Sequence, residues 1–478
     1  MKDKCGVVGV SLAEKSAARA CYDALYALQH RGQESAGIAT HDGFQQHSHV
    51  AMGLVGDAFT EEDLAALNGT GGIGHVRYPT AGSVEKSCAQ PFTVSFKDGS
   101  LGLSHNGNLV NADEIRNDLE QLGHAFTSDG DTEVIAHDLA RNLLSADLVR
   151  AVKRTMSRIH GSYSLTVMHD DTILGLRDPE GNRPLCLGKL DDGYMIASES
   201  AAIDTLGGEL IRDVNPGELI VLDPDGHTYE TYQLVSTDRT ARCFFEWVYF
   251  ARPDSILDGE LVYRVRRELG RRLYAEHGIE TDVVLPVPDS GRSFASGYAE
   301  AAGGESEFAE GLMKNRYVGR TFIMPTQEER ERAVRMKLNP IRQTVEGKSV
   351  TLIDDSIVRG TTSRQLVSLM RDAGAQAVHL RIGSPPIVAP CYMGIDMATR
   401  EELIATDRSV DEVCDEIGAD SLAYLSPETI ADVLEIALDD LCTACVTGTY
   451  PYDIPGEKTD RPVRRPDIGE QELISSFE

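Results

Sequence analysis

The chain has 478 residues, 41% of them hydrophobic, which is more apolar material than one domain needs and points to two packed cores. Asp and Glu outnumber Lys and Arg by 76 to 46, and the net charge of -30 argues against nucleic acid and anionic membranes as partners, because their phosphates are repelled. Without an apolar run of about 18 residues, and with only Met1-Lys2-Asp3-Lys4 ahead of the first apolar segment, neither a membrane span nor a secretory signal is predicted, so a cytoplasmic location is expected. Such charge suits a high-salt cytoplasm, where screening removes self-repulsion; an ordinary acidic soluble protein is the plainer alternative. Nine cysteines, an odd number, do not read as a disulfide framework and leave reactive thiols or metal ligands to be considered.

Cys5-Gly6-Val7-Val8-Gly9 follows four polar residues. Their removal would place an α-amine, with a pKa near about 8, beside the Cys5 thiol, the arrangement of an N-terminal nucleophile. A small buried core cysteine is the alternative reading of that residue alone. Helices are predicted over 17–29 and 131–144, and strands over 163–168, 194–197 and 218–222, the last after the turn Asn215-Pro216-Gly217. Three polar motifs interrupt this layered pattern: Gln29-His30-Arg31-Gly32-Gln33-Glu34-Ser35-Ala36-Gly37, Gly74-His75-Val76-Arg77-Tyr78-Pro79-Thr80 and His105-Asn106-Gly107-Asn108. A polar stretch at 236–242 marks a domain boundary near 238.

Beyond it the order becomes strand 282–287, loop 288–292, helix 293–302, then strand 350–353, loop 354–360, helix 361–373 and strand 377–382. Leu366, Leu369, Met370 and Ala373 share one helix face, which Gly374 ends. This βαβ succession predicts a mostly parallel sheet with ligands at the carboxyl ends of its strands. At one such end stand Asp354 and Asp355, followed by Ser356, Arg359, Gly360, Thr361 and Thr362. Backbone N–H groups, hydroxyls and a helix N-terminus there can cradle a phosphate, while the carboxylates face sugar hydroxyls and a cation. Gly347-Lys348-Ser349 mimics the end of an ATP-binding loop, but Arg342 occupies the position of its first glycine. Cys442-Thr443-Ala444-Cys445 spaces two thiolates for one centre, equally zinc, a cluster or redox chemistry.

Together the amino-terminal motifs resemble the glutaminase domain of the glutamine phosphoribosylpyrophosphate (PRPP) amidotransferases, and residues 350–362 resemble the PRPP signature of type I phosphoribosyltransferases. The resemblance runs from Cys5 to about Pro451 and implies an α/β and α+β architecture. A propeptide of residues 1–4 would precede an N-terminal-nucleophile αββα sandwich over 5–238, a type I phosphoribosyltransferase domain over 239–451 and a C-terminal tail over 452–478, which is polar and loosely attached from about Thr459. It implies Cys5 as nucleophile, Asn106 and Gly107 as oxyanion hole, and Arg77 and Asp131 as partners of the glutamine α-carboxylate and α-ammonium. His75 and His105 are left open between structural and substrate-facing roles. For PRPP it implies Asp354 and Asp355 at ribose and Mg²⁺, Ser290 as a further metal position, and Ser356, Arg359, Gly360, Thr361 and Thr362 around the 5′-phosphate. The basic segment Lys314-Asn315-Arg316-Tyr317-Val318-Gly319-Arg320-Thr321-Phe322 would be the loop that closes over PRPP.

Cys243, Cys391, Cys442 and Cys445 align with the ligands of a [4Fe–4S] cluster in the family's iron-sulfur branch, where the cluster is structural. Glutamine and PRPP are the implied substrates, purine nucleotides the implied feedback inhibitors, and a homotetramer the implied assembly. Two rivals share part of this pattern: a glutaminase serving another acceptor, opposed by residues 350–362, and a non-catalytic PRPP sensor, opposed by Cys5, Arg77 and Asn106.

Overall fold

The computed structural model describes residues 5–78, 86–97, 99–304, 306–315, 338–395, 397 and 399–459. Two antiparallel sheets are stacked in the first half. The seven-stranded one runs Glu209–Asp213, Cys186–Leu190, Gly193–Ala197, Gly6–Leu12, Gly71–Arg77, Ser35–His41, Gln46–Met52; the six-stranded one runs Tyr229–Gln233, Glu218–Leu222, Thr172–Arg177, Gly161–His169, Gly99–Leu109, Phe92–Phe96. Strand alternation explains the layers: in Gly6–Leu12, Val7 faces the inter-sheet core with Ile73, Met168, Ile173 and Ile196, whereas Val8, Val10 and Leu12 face helix Ala17–Ala27. Helices Ala112–Gln121, Asp131–Leu143 and Leu148–Met156 cover the outer face of the second sheet. The result is the expected αββα sandwich.

The second half holds a five-stranded parallel sheet in the order Glu307–Phe308, Val283–Pro286, Ser349–Asp354, Ala377–Ile382, Ser421–Tyr424. Helices Val262–His277 and Gly291–Ala301 pack on one face, and Thr361–Asp372 and Val410–Ile417 on the other, so the central strands bury apolar side chains such as Val284, Ile353, Val350, Leu352, Val378 and Leu380 on both faces. Element ends differ from the sequence-based ranges by one to a few residues, since caps set them; helix Gly291–Ala301 begins two residues early, directly after its loop. Residues 452–459 are tied back to the body: Lys458–Thr459 pairs with Thr449–Tyr450, and the Tyr452 hydroxyl donates to the Gly161 carbonyl at 2.8 Å.

Many arginines form exposed pairs, such as Arg267 and Arg271 with Glu300 and Arg371 with Asp420, which leaves the large acidic excess without local cations. Raising KCl from about 0.1 M to about 2 M shortens the Debye length from about 10 Å to below about 3 Å. The expected result is a higher thermal unfolding midpoint, followed by circular dichroism. A midpoint that falls with salt would mean that the ion pairs outweigh the repulsion.

Candidate active site

Strand Gly6–Leu12 lies between Gly71–Arg77 and Gly193–Ala197, with Gly6 opposite Val76, so Cys5 emerges at the amino end of this central strand beside Arg77. Cys5, Arg77, His105, Gly107 and Asp131 line one pocket. The Cys5 Sγ donates to the Tyr78 carbonyl at 3.6 Å; burial raises its pKa, opposed by that bond and by Arg77 and Arg31. The thiol therefore needs a base to become a nucleophile.

Asp131 opens helix Asp131–Leu143. Its Oδ2 accepts from the Leu109 N–H at 3.0 Å and its Oδ1 lies 3.4 Å from His105 Nδ1. Burial pushes this carboxyl up, but His105 and the Leu109 and Thr132 N–H groups outweigh it and hold the pKa below the usual carboxylate range, so the group is an anion. Arg77 Nη1 and Asn106 Nδ2 are buried donors without a hydrogen-bond acceptor among the described residues, the nearest carboxylate to Arg77 being Glu34 at 3.6 Å. Such donors are costly unless something else accepts from them.

The two histidines separate. His75 joins the sheets, its Nε2 3.1 Å from the His105 carbonyl, and burial lowers its pKa to about 3, so it is neutral. His105 lines the pocket beside Asp131. Gln90, absent from the sequence-based candidates, braces this wall: its Oε1 accepts from the His105 N–H at 2.7 Å and its Nε2 donates to Thr132 Oγ1 at 2.9 Å.

At the parallel sheet, Asp354 ends strand Ser349–Asp354 and Asp355 follows, both buried. Burial, and then the Asp355 charge, push the Asp354 pKa well up. Ser290 Oγ and Ser356 Oγ both donate to Asp355, the latter at 2.6 Å. The Val287 N–H donates to the Ile353 carbonyl at 2.9 Å, setting loop 288–292 against the carboxylates. Gly360, at φ +70°, caps helix Thr361–Asp372, whose first residues Thr361 and Thr362 are exposed; Arg359 is paired with Glu402 at 2.5 Å. Lys314 Nζ pairs with Asp289 at 2.8 Å, whereas residues 316–322 of the basic segment lie outside the described residues.

The four aligned cysteines converge. Short strands Arg242–Cys243 and Leu441–Cys442 pair in parallel with Cys243 opposite Cys442, and the Val388 and Ala389 N–H groups donate to the Cys445 carbonyl, drawing the Cys391 segment in. Burial raises the Cys243 and Cys442 thiols to about 11 and about 12; it also pushes the Cys445 thiol well up, and the charges of the other three add to that rise. The Met393 N–H donates to Cys391 Sγ at 3.3 Å. Among the described residues no three His, Cys, Asp or Glu groups are arranged to hold a metal ion. Four thiols drawn together, with backbone N–H donors beside them, are the donor set that a thiolate-held metal centre takes.

Sequence reasoning missed the charges behind Cys5. Arg31 Nε donates to the Cys5 carbonyl at 3.0 Å, while its other nitrogens pair with Glu199 and with Glu246 at 3.0 to 3.2 Å. All three side chains are buried, and Glu199 and Glu246 lie 168 and 215 residues away in sequence, so no local pattern announces them. Arg31→Met would leave both carboxylates short of positive charge, at a cost of about 3 kcal/mol or more. Urea unfolding should show the loss; an unchanged midpoint would mean that the pair contributes nothing net.

A model described as a glutamine amidotransferase domain matches residues 78–205. The amidophosphoribosyltransferase of Archaeoglobus fulgidus is 50% identical over 460 residues, covering 95% of this chain and 100% of that one. The Bacillus subtilis amidophosphoribosyltransferase is 45% identical over 95% of each chain. Among solved structures, one described as the allosteric regulatory enzyme of purine biosynthesis superposes with a TM-score of 0.87 at 44% identity, over 94% of this chain and 97% of that one. A B. subtilis glutamine PRPP amidotransferase complexed with ADP and GMP gives the same TM-score at 42% identity, over 95% and 99%. With a pocket lined by the Cys5 thiol in one half and paired carboxylates at the carboxyl end of a parallel-sheet strand in the other, the chain belongs to the amidophosphoribosyltransferases, enzymes of purine biosynthesis.

Proposed function

We propose that the chain converts PRPP, glutamine and water to 5-phosphoribosylamine, glutamate and pyrophosphate, the first committed step of purine synthesis de novo. The observation that carries the glutamine half is the pocket itself, lined by the buried Cys5 thiol, by Arg77 with a buried donor that lacks a hydrogen-bond acceptor among the described residues, and by Asp131, a carboxylate held ionised. In this reading residues 1–4 are removed, and the freed Cys5 α-amine takes the thiol proton. Cys5 then attacks the glutamine amide carbon, and the oxyanion receives hydrogen bonds from Asn106 Nδ2 and the Gly107 N–H. The C–N bond breaks, the amine leaves as ammonia, and water later cleaves the thioester to glutamate. Arg77 pairs with the α-carboxylate and Asp131 with the α-ammonium.

The phosphoribosyltransferase half, over 239–451, binds PRPP at the carboxyl edge of its sheet. Asp354 and Asp355 hold the ribose hydroxyls, while Ser356, Arg359, Gly360, Thr361 and Thr362 surround the 5′-phosphate at the helix N-terminus. Two carboxylates with a flanking Ser290 fit Mg²⁺, which takes few protein ligands and keeps waters and phosphate oxygens. Bound there, Mg²⁺ would offset the charge of the departing diphosphate. Ammonia passes within the protein to the anomeric carbon, because bulk water would protonate it. Cys243, Cys391, Cys442 and Cys445 hold a structural [4Fe–4S] cluster, which would crosslink three chain segments. Purine nucleotides inhibit, as the ADP and GMP bound to the B. subtilis relative suggest; a cytoplasmic homotetramer completes the proposal.

Cys5→Ala should lower glutamine-dependent phosphoribosylamine formation more than about 10³-fold and leave ammonia-dependent formation near wild type. Asp355→Asn should abolish both. Ammonia-dependent synthesis lost in Cys5→Ala, with the fold intact, would contradict the division of labour. Asp131→Asn should raise the KM for glutamine about tenfold or more with little change in the KM for PRPP, measured by glutamate release.

A further inference from the structure

One segment touches both the cysteine group and the strand that carries Asn106 and Gly107. Asn108 Nδ2 donates to the Tyr392 carbonyl at 2.9 Å and Ser162 Oγ to the Met393 carbonyl at 2.8 Å. Gly394 lies directly on Gly107: a Cβ at 394 would stand 2.8 Å from the Gly107 carbonyl carbon and oxygen and 3.1 Å from Arg183 Nη2. Only glycine fits that contact. The three residues after Cys391 are thus pinned to residues 107, 108 and 162.

Arg183 fills the space behind this contact. Its side chain is fully buried, and none of its three guanidinium nitrogens has a hydrogen-bond acceptor among the described residues. The closest carboxylate is Glu246 Oε1 at 3.6 Å, which already accepts from Arg31. Its charge reaches Cys243, Cys391 and Cys442. A guanidinium has five N–H donors and no means of losing its charge, so its burial without acceptors is strongly unfavourable. Sulfur atoms of a thiolate-held cluster are acceptors of the right charge on that side.

We propose that Arg183 is a positioning residue: it donates to the sulfur atoms of the cluster held by Cys243, Cys391, Cys442 and Cys445 and, through Gly394, sets Gly107 in the oxyanion hole. This rests on the reading of those cysteines as a cluster site. A positive charge at this place stabilises the more negative, reduced cluster, so its removal moves the midpoint potential to more negative values. It also lets the 391–394 segment relax away from Gly107.

The test uses anaerobically purified holoenzyme, with iron and acid-labile sulfide measured first. Absence of both sinks the cluster reading and this inference together. With the cluster present, Arg183→Met and Arg183→Gln are compared with wild type by dithionite titration followed by EPR, and by the rate at which a diazoketone analogue of glutamine labels Cys5. In whichever variant retains iron, the expected result is a more negative potential and labelling slowed about tenfold or more, with circular dichroism unchanged. An iron-replete variant with wild-type potential and wild-type labelling overturns the role of Arg183 and leaves the cluster reading standing.

Discussion

Arg31 is the constraint from which the rest of the molecule is built. It is buried between Cys5 and the second half of the chain, holding the Cys5 carbonyl with Nε and the Glu246 carboxylate with both terminal nitrogens. Burial alone would favour the neutral guanidine, but Glu246 and Glu199 outweigh it and keep the charge. Charge that deep persists only where every partner is in place, so the pair fixes the register between strand Gly6–Leu12 and the segment Glu246–Phe250. Glu199 adds the Arg252 N–H and the Ser255 hydroxyl, fastening the second half to the sandwich at two further points.

From that junction the two sites are reached without a break in the buried structure. Glu246 stands three residues after Cys243, so the turn that carries a cysteine of the group also carries the partner of Arg31. Arg266 lies on the same side, donating to the Trp247 and Ala251 carbonyls at 2.7 and 2.8 Å. Burial pulls its pKa down to about 10, and the charges of Asp355, Glu199 and Glu246 oppose that fall. The carboxylates of both halves therefore bear on one buried arginine, which suits an enzyme whose two reactions must occur in step.

Much of this was legible in the sequence because its signals are local. Asp354, Asp355 and the hydroxyl-rich loop sit in one continuous string between an apolar strand and a periodic helix, and parallel-sheet geometry puts such a string at a binding edge. Cys5, Arg77 and Asn106 are picked out only by the resemblance of their motifs to the family's glutaminase domain, since each alone also reads as a core residue, a surface ion-pair partner or a turn. Illegible were Glu199, Glu246, Arg183 and Gln90, each a single polar residue whose partner is distant in the chain. A lone Glu in an acidic protein looks like surface, and only the tertiary fold turns it into a buried counter-ion. The orphaned donors of Arg77 and Asn106 are likewise visible only once burial is known.

Coupling between the halves is the central claim, and glutamate release by the mature enzyme with Mg²⁺, with and without PRPP, tests it most directly when pyrophosphate is counted in the same reaction. The account predicts that PRPP stimulates glutamate release and that glutamate and pyrophosphate form one for one. Glutamate release indifferent to PRPP, or unaccompanied by pyrophosphate, would contradict it.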